Sequence, residues 1–280
     1  MKFFICFFII CFPVFLFGQV NISGIVMDAK HRLIPFASIG YYNKQIGTST
    51  DSLGTFIIQK RVADSLKISA VGYESITVII SDTSTIITAY LNNVLNLLSE
   101  VVIKSRPKKS YQVTLGHYQA KNNFWNLLAP NLQEATYIPN PDKIKGYIDE
   151  IKFKVAEFKN KHFMLRIRLF DVDVETGKPN GDLLMSENII YPNDLKRTTI
   201  FVTKSKNIRF PENGVFVSFE WLQQRQDDKR ETFPYILGNT DAYKDFVYLN
   251  FKEIKWRRAN IKSVVNNGYY VPNLSITVSY

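Results

Sequence analysis

The stretch that best indicates the fold reads Leu66-Lys67-Ile68-Ser69-Ala70. Apolar and polar residues alternate along it, as they do in a β-strand with one face in a core. Similar short runs, separated by turn residues, extend from Val20 to Ile103 without a long segment of helical period between them. This spacing predicts a β-sandwich rather than a parallel α/β sheet.

β patterning also fills the second half of the chain, as far as Tyr280. Along the next strong strand pattern, one face carries Phe163, Leu165, Ile167 and Leu169, and Arg166 and Arg168 point away from that face. The pattern changes phase at Phe170, which predicts a bulge or a strand end there, because a slip of one residue exchanges the two faces. We therefore expect an all-β chain in which a second, jelly-roll-like β-sandwich follows the first.

The two halves meet at a short basic segment, Arg106-Pro107-Lys108-Lys109-Ser110. Proline and a cluster of polar residues interrupt regular structure. We therefore predict a first domain over residues 19–104, a linker over residues 105–111 and a second domain over residues 112–280. The sequence of residues 117–134 predicts a short helix, which would be the only notable helix of the chain.

The chain begins with the pattern of a secretory leader. Met1-Lys2 is followed by an apolar run from Phe3 to Phe17, and a small residue, Gly18, precedes Gln19. A positive start, a short apolar stretch and a small residue are typical of a signal peptide, so we expect cleavage after residue 18. A membrane-spanning helix is the alternative, but this run contains Pro13 and is shorter than the roughly 20 apolar residues that a crossing needs.

Both cysteines, Cys6 and Cys11, lie inside the predicted leader. The processed chain would then have no thiol for a disulfide bond or for thiolate chemistry. A lipid-modified Cys11 is the alternative, but Ile10 and Phe12 beside it are not the small residues expected around an acylation site.

The formal net charge is +10, from 35 basic and 25 acidic side chains. This excess favours acidic partners such as lipopolysaccharide phosphates, anionic glycans or a membrane surface. A solvated basic surface is the simpler interpretation. We expect no nucleic-acid partner, because the basic residues are spread along strands and export removes the protein from nucleic acid.

Five segments of the first domain, taken in order, resemble the carboxypeptidase regulatory-like domain family. They are Ile22-Ser23-Gly24-Ile25-Val26-Met27-Asp28, Leu33-Ile34-Pro35-Phe36-Ala37-Ser38-Ile39, Gly47-Thr48-Ser49-Thr50-Asp51-Ser52-Leu53-Gly54-Thr55-Phe56, Leu66-Lys67-Ile68-Ser69-Ala70-Val71-Gly72-Tyr73 and Leu98-Ser99-Glu100-Val101-Val102-Ile103. The resemblance covers residues 20–103. It implies a seven-stranded, transthyretin-like β-sandwich that serves as an accessory module on surface and outer-membrane proteins.

The resemblance does not extend to a transporter. A similar domain precedes a plug and a large barrel in TonB-dependent receptors, but plugged barrels use about 22 strands, and the chain after Ile103 is too short for them. The second half is similar to an uncharacterised β-sandwich of envelope proteins, which implies no activity.

Asp51 and Gly54 occupy the first and fourth positions of a predicted four-residue turn. Aspartate in the first position bonds to the backbone beyond it, and glycine relieves crowding in the fourth. We therefore interpret Asp51 as a turn residue rather than as a metal ligand.

No motif for catalysis is found. His31, His117 and His162 are each followed three positions later by an apolar residue, so the His-x-x-Glu pair of a zinc peptidase is missing. Neither His-Glu-x-x-His nor Gly-x-Ser-x-Gly occurs. We predict no catalytic residue, no cofactor and no transition-metal site.

The best candidates for a calcium site are Asp171, Asp173 and Asp182. Alternating oxygen ligands begin a calcium loop, but Gly177 falls one position later than an EF-hand requires. A hairpin or long turn between Val174 and Leu183 explains the same residues without a metal, and we favour the turn.

Aromatic residues give the remaining indication of a ligand. Trp256 lies between Lys255 and Arg257-Arg258 and is the candidate for an exposed ring that stacks on a sugar, together with Tyr269 and Tyr270 near a predicted turn. Trp221 shares the apolar face of its strand and is expected in the core.

These observations favour a non-catalytic accessory protein of the cell envelope, exported to the periplasm, the outer membrane or the cell surface, with no transmembrane helix in the processed chain. It would be a binding or assembly module for a surface glycan or an outer-membrane partner protein. The alternative is a hydrolase of glycans or peptides with a carboxylate site in the second domain. Exposed aromatics on one sheet favour glycan binding, paired carboxylates in a deep cleft favour the hydrolase, and an exposed apolar patch favours assembly.

Overall fold

The structure is a computed structural model. It describes residues 20–42, 44, 46–94, 111–119, 124–127, 132–156, 163–184, 188–203, 207–223, 235–241, 246–251, 255–262 and 268–280. The predicted leader, residues 105–110 of the predicted linker and the segment Leu98–Ile103 lie outside the described residues.

Seven strands form the first sandwich. They are β1 (Asn21–Asp28), β2 (Ser38–Tyr41), β3 (Gly47–Ser49), β4 (Thr55–Gln59), β5 (Ser65–Ser69), β6 (Ile76–Ile79) and β7 (Ile86–Leu91). One sheet has the order β4-β1-β7 and the other the order β3-β2-β5-β6. All pairs are antiparallel except β1 with β7. The described strands thus give the seven-stranded sandwich that the resemblance implied.

The core of the first sandwich follows from alternation along its strands. Exposed and buried residues alternate along the whole of β7, and Leu66 and Ile68 of β5 are fully buried. Alternation turns one face of each sheet toward the other, so apolar side chains from both sheets meet. The core includes Ile22, Val26, Ile39, Phe56, Leu66, Ile68, Ile87 and Leu91.

The turn between β3 and β4 is built as the sequence predicts. The carboxylate of Asp51 accepts hydrogen bonds from the backbone N–H groups of Leu53 and Thr55, each at 2.9 Å, and from the Thr55 hydroxyl at 2.7 Å. Gly54 has a φ of 70°, and a Cβ at this position would lie 3.0 Å from the carbonyl oxygen of Val26. Glycine is therefore required there by both backbone conformation and space.

The strands of the second half are β8 (Gln112–Gly116), β9 (Phe124–Leu127), β10 (Leu132–Ile138), β11 (Tyr147–Lys154), β12 (Phe163–Val172), β13 (Pro179–Asp182), β14 (Ile189–Ile190), β15 (Thr198–Val202), β16 (Val215–Gln223), β17 (Tyr235–Asp241), β18 (Val247–Phe251), β19 (Arg257–Arg258), β20 (Tyr269–Pro272) and β21 (Leu274–Ser279).

These strands form three sheets. A large sheet has the order β13-β12-β16-β10-β18-β19, with β14 also paired to β12. A four-stranded sheet has the order β15-β11-β21-β8, and a three-stranded sheet the order β20-β17-β9. The described part of the chain is all-β, as predicted, with unequal layers in place of the paired sheets of a regular jelly roll. The C-terminal strand β21 is paired on both sides.

The second core lies between the large sheet and the four-stranded sheet. Its buried residues include Ile151, Phe153, Phe163, Leu165, Ile167, Leu169, Val217, Phe219, Trp221, Leu274, Ile276 and Val278. Trp221 lies in this core, as its place on the apolar face of β16 predicts. The same strands β10, β12, β16 and β18 carry the residues of the candidate site on their opposite face.

Strand β12 is buried on both faces from Phe163 to Phe170. One face enters the second core, and the other carries Arg166 and Arg168, which are only 1% and 8% exposed. The register against β13 does shift near Phe170, but the extra residue is Gly181 of β13. The register of β12 against β16 is regular up to Phe170 and the strand continues to Val172, so β12 itself does not change phase. The sequence places the two arginines correctly on the outer face but gives no sign that this face is covered.

The predicted helix over residues 117–134 is wrong. β9 pairs with β17, and β10 lies between β16 and β18 in the large sheet. Strand partners more than 75 residues away satisfy the backbone of this region, and such pairing overrides a local helical pattern. The described part of the chain contains no helix with the length and apolarity that a membrane crossing requires.

We expect Asp51→Ala to lower the free energy of unfolding by about 1–2 kcal/mol, because three hydrogen bonds that organise the turn are lost. Urea denaturation of the variant and the parent protein measures this difference. Asp82→Ala is the matched control, since Asp82 is an exposed turn aspartate, and it should change the stability little.

The Asp51 effect should depend on pH. Burial alone would raise the pKa of Asp51, but the hydrogen bonds from Thr55 and Leu53 outweigh burial and lower the pKa. A lowered pKa in the folded chain means that the ionised carboxylate stabilises the fold, and this contribution is lost as pH falls through that pKa. The difference between Asp51→Ala and the parent should therefore shrink below about pH 4. Equal differences at neutral and strongly acidic pH would contradict this account.

Candidate binding cleft between the two sandwiches

A row of polar side chains crosses the outer face of the large sheet. Asn250, Gln133, Glu220 and Arg166 are cross-strand neighbours on β18, β10, β16 and β12. They are exposed by 4%, 2%, 2% and 1%. Polar groups are buried to this extent only where they find partners. The partners of Arg166 show that the first sandwich covers this end of the row.

Arg166 joins the two sandwiches. Its Nη1 donates to Glu220 Oε2 at 2.8 Å and to Ser38 Oγ at 3.2 Å. Its Nη2 donates to the backbone carbonyl of Phe36. A guanidinium offers several donors in one plane, so a single side chain binds its carboxylate partner in the large sheet and two groups of the first sandwich.

The backbone at Phe36 is shaped for this contact. Phe36 has a φ of 58°, in the left-handed region that bulky residues rarely occupy. Such conformations cost free energy and persist where surrounding contacts hold them. Since the Phe36 carbonyl accepts the Arg166 hydrogen bond, the unusual conformation lies at the contact between the sandwiches.

A cleft of about 340 Å³ opens beside the polar row and is called the binding cleft below. Its walls come from both sandwiches. It is lined by Lys67, Gln133, Arg168, Phe170, Pro179, Asn180, Gly181, Asp182, Asn250, Lys255 and Trp256. A volume of this size is within the range of small-molecule sites, about 300–1,000 Å³.

A second cleft of about 380 Å³, the adjoining cleft, continues from the first along the first sandwich. The two share Lys67, Arg168, Gly181 and Asp182. The other lining residues of the adjoining cleft are Ser69, Ala70, Val71, Gly72, Tyr73, Ser75, Val94 and Leu184. The shared residues join the two clefts into one depression along the boundary of the two sandwiches.

A fixed ion pair forms the wall that both clefts share. Arg168 Nε donates to Asp182 Oδ2 at 2.8 Å, with the two side chains 9% and 14% exposed. Asp182 Oδ1 accepts the backbone N–H of Leu184 at 2.9 Å. The Arg168 guanidinium also lies 4.8 Å from the centre of the Phe170 ring. Both carboxylate oxygens of Asp182 are therefore engaged within the fold.

Two buried polar atoms beside the clefts have no hydrogen-bond partner among the described residues. They are the side-chain oxygen of Gln133, in the binding cleft, and the hydroxyl of Ser69, in the adjoining cleft. A buried polar group without a partner costs about 1–3 kcal/mol. Native structures rarely keep such groups without a partner, so these two atoms are candidates for hydrogen bonds to a bound molecule.

Trp256 lies at the wall of the binding cleft, with its ring half-buried. It packs edge-on against Phe170, with ring centres 5.4 Å apart. The backbone N–H of the preceding Lys255 donates to Asn250 Oδ1 at 3.1 Å, which ties this segment to the large sheet. The residue predicted to stack on a ligand is thus held in place beside the polar row.

The other two predicted stacking residues are not in the binding cleft. Tyr270 is 2% exposed, packs with Val247 and Ala259, and donates through its hydroxyl to Glu134 at 3.3 Å. A ring enclosed in this way has no free face, so the stacking role predicted for Tyr270 is corrected to a structural one. Tyr269 is half-buried on β20 and does not line the binding cleft.

The three calcium candidates have separate structural tasks. Asp173 Oδ1 accepts hydrogen bonds from the backbone of Glu175 and from the backbone and hydroxyl of Thr176. Asp171 Oδ1 accepts the N–H of Val172 at 2.7 Å. Asp182 is paired with Arg168, as described above. Among the described residues, no three His, Cys, Asp or Glu side chains are grouped so that they could hold a metal ion, and the segment forms the β12–β13 hairpin.

Most residues of the cleft were not predicted from the sequence. Lys67, Gln133, Asn180 and Asn250 come from four separate strands and share no motif. One usable signal was the alternation in β12, which places the charged Arg166 and Arg168 opposite a fully apolar face. A second was the basic flank of Trp256. Neither indicates which residues of other strands lie nearby.

Comparison with known proteins supports the family of the first sandwich. Residues 22–103 match the family model of the CarboxypepD_reg-like domain, as the five segments indicated. No curated protein matches the chain.

Two crystal structures of BcpA, the major pilin subunit of Bacillus cereus, are among the solved structures that match. The identities are 8% and 9%, and the TM-scores are 0.20 and 0.18. Each alignment covers 85% of this chain and 66% of the pilin chain. One of the two structures is of a BcpA variant. The chain therefore spans a little under two thirds of the length of these pilins.

We expect Arg166→Ala to lower the free energy of unfolding by about 3–5 kcal/mol, because it leaves the buried carboxylate of Glu220 without its partner. Chemical denaturation measures the loss. A fall of less than about 1 kcal/mol would show that water or another group compensates Glu220 and that the ion pair is not a central contact.

The matched control removes both charges, as Arg166→Met with Glu220→Leu. Replacing a buried ion pair by apolar residues of similar volume is often neutral in stability, so the double variant should recover most of the loss. It still lacks the bonds to Phe36 and Ser38. Small-angle scattering should therefore show a larger maximum dimension than in the parent protein, because the sandwiches are held less closely.

Proposed function

We propose that this chain is a non-catalytic saccharide-binding accessory protein of the cell envelope, with its ligand in the binding cleft. The observation that carries the proposal is the combination of Trp256 with the side-chain amides of Gln133, Asn180 and Asn250 in one concave site. The flat face of an aromatic ring suits the C–H face of a sugar, and amides donate to and accept from its hydroxyl groups.

The side-chain oxygen of Gln133, which has no hydrogen-bond partner in the described part of the chain, supports this assignment. A buried acceptor matches a hydroxyl donor, and sugars carry many hydroxyl groups. The adjoining cleft adds the Ser69 hydroxyl, also buried and without a partner among the described residues. Polar groups held ready for hydrogen bonds along an extended depression favour a saccharide chain over a compact apolar ligand.

The lining favours binding over hydrolysis. Glycoside hydrolases of the usual mechanisms use two carboxyl groups, one on each side of the scissile bond. Among the described residues that line the two clefts, Asp182 is the one carboxylate, and both of its oxygens are engaged by Arg168 and Leu184. Asp182 can help to orient a ligand, but glycoside hydrolysis would need a second carboxyl group beside it.

The location belongs to the same proposal. The leader pattern of residues 1–18 and the regulatory-like domain support export to the periplasm, the outer membrane or the cell surface. The first sandwich would then serve as the platform that supplies one wall of the cleft, while the second sandwich supplies Trp256 and the amides.

Docking on an envelope protein is the second candidate function. Ile57 and Ile86 flank Ser23 on the outer face of the three-stranded sheet of the first sandwich, and they are 50% and 74% exposed. Tyr90 adds a ring that is 46% exposed. Exposed apolar side chains grouped on one sheet face are typical of protein contact sites. This face carries no residue of the binding cleft.

We expect Trp256→Ala to weaken saccharide binding at least about tenfold, because loss of a stacking ring removes most of the apolar contact at the wall. Binding to an array of envelope polysaccharides and their oligosaccharides tests this. Tyr191→Ala is the matched control, since Tyr191 is 50% exposed and does not line the cleft. Saccharide binding that survives Trp256→Ala unchanged would place the ligand elsewhere, and absence of binding by the parent protein would overturn the proposal.

Gln133→Met should separate binding from stability. The substitution keeps the side-chain length and removes the buried oxygen that has no partner among the described residues. We therefore expect weaker saccharide binding but an unchanged or increased free energy of unfolding. A clear loss of stability would show that Gln133 supports the fold rather than the ligand.

A further inference from the structure

We infer that the saccharide bridges the two sandwiches, with one sugar unit in the binding cleft and the next unit in the adjoining cleft beside Ser69. This inference rests on the proposed function and adds to it a second subsite, on the first sandwich, and a minimum length for the ligand. Ser69 carries the inference, because its hydroxyl is buried at the adjoining cleft and has no hydrogen-bond partner in the part of the chain that the structure describes.

Ser69 is fixed at the boundary of the two sandwiches. On β5 the side chains of Leu66 and Ile68 enter the first core, so alternation places Ser69 on the opposite face of the strand. Ser69 pairs with Ser38 of β2, and the Ser38 hydroxyl accepts the 3.2 Å hydrogen bond from Arg166. Directly opposed residues of a sheet share a face. The Ser69 hydroxyl therefore lies next to the contact that joins the sandwiches.

The two clefts meet at the ion pair of Arg168 and Asp182, which lines both of them. Gly181 also borders both clefts, and a Cβ added to it would meet nothing within 4 Å. The chain therefore leaves open space where the clefts adjoin. Their volumes, about 340 and 380 Å³, lie near the lower end of the range for small-molecule sites, about 300–1,000 Å³. Each cleft alone suits one sugar unit, and the pair suits a chain.

Each cleft combines an aromatic ring with a buried polar atom. The binding cleft has Trp256 and the side-chain oxygen of Gln133, and the adjoining cleft has Tyr73 and the Ser69 hydroxyl. Tyr73 is half-buried and packs against the first core, which holds its ring in place. A ring beside a hydrogen-bonding group suits the apolar face and the hydroxyl groups of a sugar. The repetition of this pair of features indicates two units of one ligand.

A ligand of one unit would reach only one of the two buried atoms. Gln133 and Ser69 are 2% and 4% exposed and belong to different sandwiches. A hydrogen bond to a buried group that otherwise has no partner removes an energetic penalty, so it contributes to affinity. A chain that reaches both atoms gains the second bond while its first unit is already held. Affinity should therefore depend on the length of the chain.

The test measures affinity against chain length. The probes are glucose with the cello-oligosaccharides, N-acetylglucosamine with the chito-oligosaccharides and mannose with the manno-oligosaccharides, each from one unit to four. Calorimetry of the full processed chain measures each affinity. In a series that binds, we expect the disaccharide to bind about tenfold or more tightly than the monosaccharide. Further units should add little, because both clefts are then filled.

Ser69→Ala should remove much of the advantage of the disaccharide, leave the affinity for the monosaccharide unchanged and preserve the free energy of unfolding. Val94→Trp blocks the same cleft by size, since Val94 lines it and is 41% exposed, and this variant should bind the disaccharide no more tightly than the monosaccharide. Val174→Trp is the matched control, because Val174 is 81% exposed and lines neither cleft. Urea denaturation of each variant confirms that the fold is retained.

The outcomes separate this inference from the proposed function. A monosaccharide that binds as tightly as its longer forms, with Trp256→Ala weakening all of them, would overturn the bridging and leave the saccharide site in place. A disaccharide advantage that survives both Ser69→Ala and Val94→Trp would place the second unit outside the adjoining cleft and also overturn the inference. If the parent protein binds no member of the three series and no polysaccharide of the array, the inference and the proposed function fall together.

Discussion

The buried guanidinium of Arg166 is the contact on which the arrangement of the two sandwiches depends. A charge that is 1% exposed is tolerated only with strong partners, and Arg166 has Glu220 within its own sheet and Ser38 and Phe36 in the other sandwich. Because those partners lie on both sides of the boundary, the sandwiches must stay together for the charge to be satisfied. The unusual φ of Phe36 is held at the same place.

This constraint explains why a polar sheet face lies inside the molecule. One face of β12 fills the second core, and the other is covered in part by the first sandwich. Beyond the part that the first sandwich covers, the remaining polar groups line the binding cleft. Among them is Gln133, whose side-chain oxygen has no hydrogen-bond partner among the described residues. The contact that joins the sandwiches thus also creates their shared depression. Neither sandwich alone would bring Lys67 near Trp256.

Local chemistry explains which predictions succeeded. The Asp51–Gly54 turn needs only nearby backbone groups. The phase change near Phe170 pointed to an irregularity at the right place, but the extra residue lies in the partner strand β13. The helix expected over residues 117–134 failed because the partners of β9 and β10 are strands far along the chain. Local sequence also failed to distinguish the aromatic residues. Trp256 lies in the cleft wall, whereas Tyr270, in an equally aromatic local sequence, is enclosed.

The sequence by itself determined the all-β class, the regulatory-like family of residues 22–103 and the turns, because alternation and turn chemistry act over a few residues. It also placed Arg166 and Arg168 on the outer face of their strand. Only the tertiary structure decided that this face is buried, that Asp182 is bound to Arg168, and that Lys67, Gln133, Asn250 and Trp256 share one cleft. The physical reason is that these residues are brought together by pairing and packing between distant strands, and no local pattern records which distant strand a given face will meet.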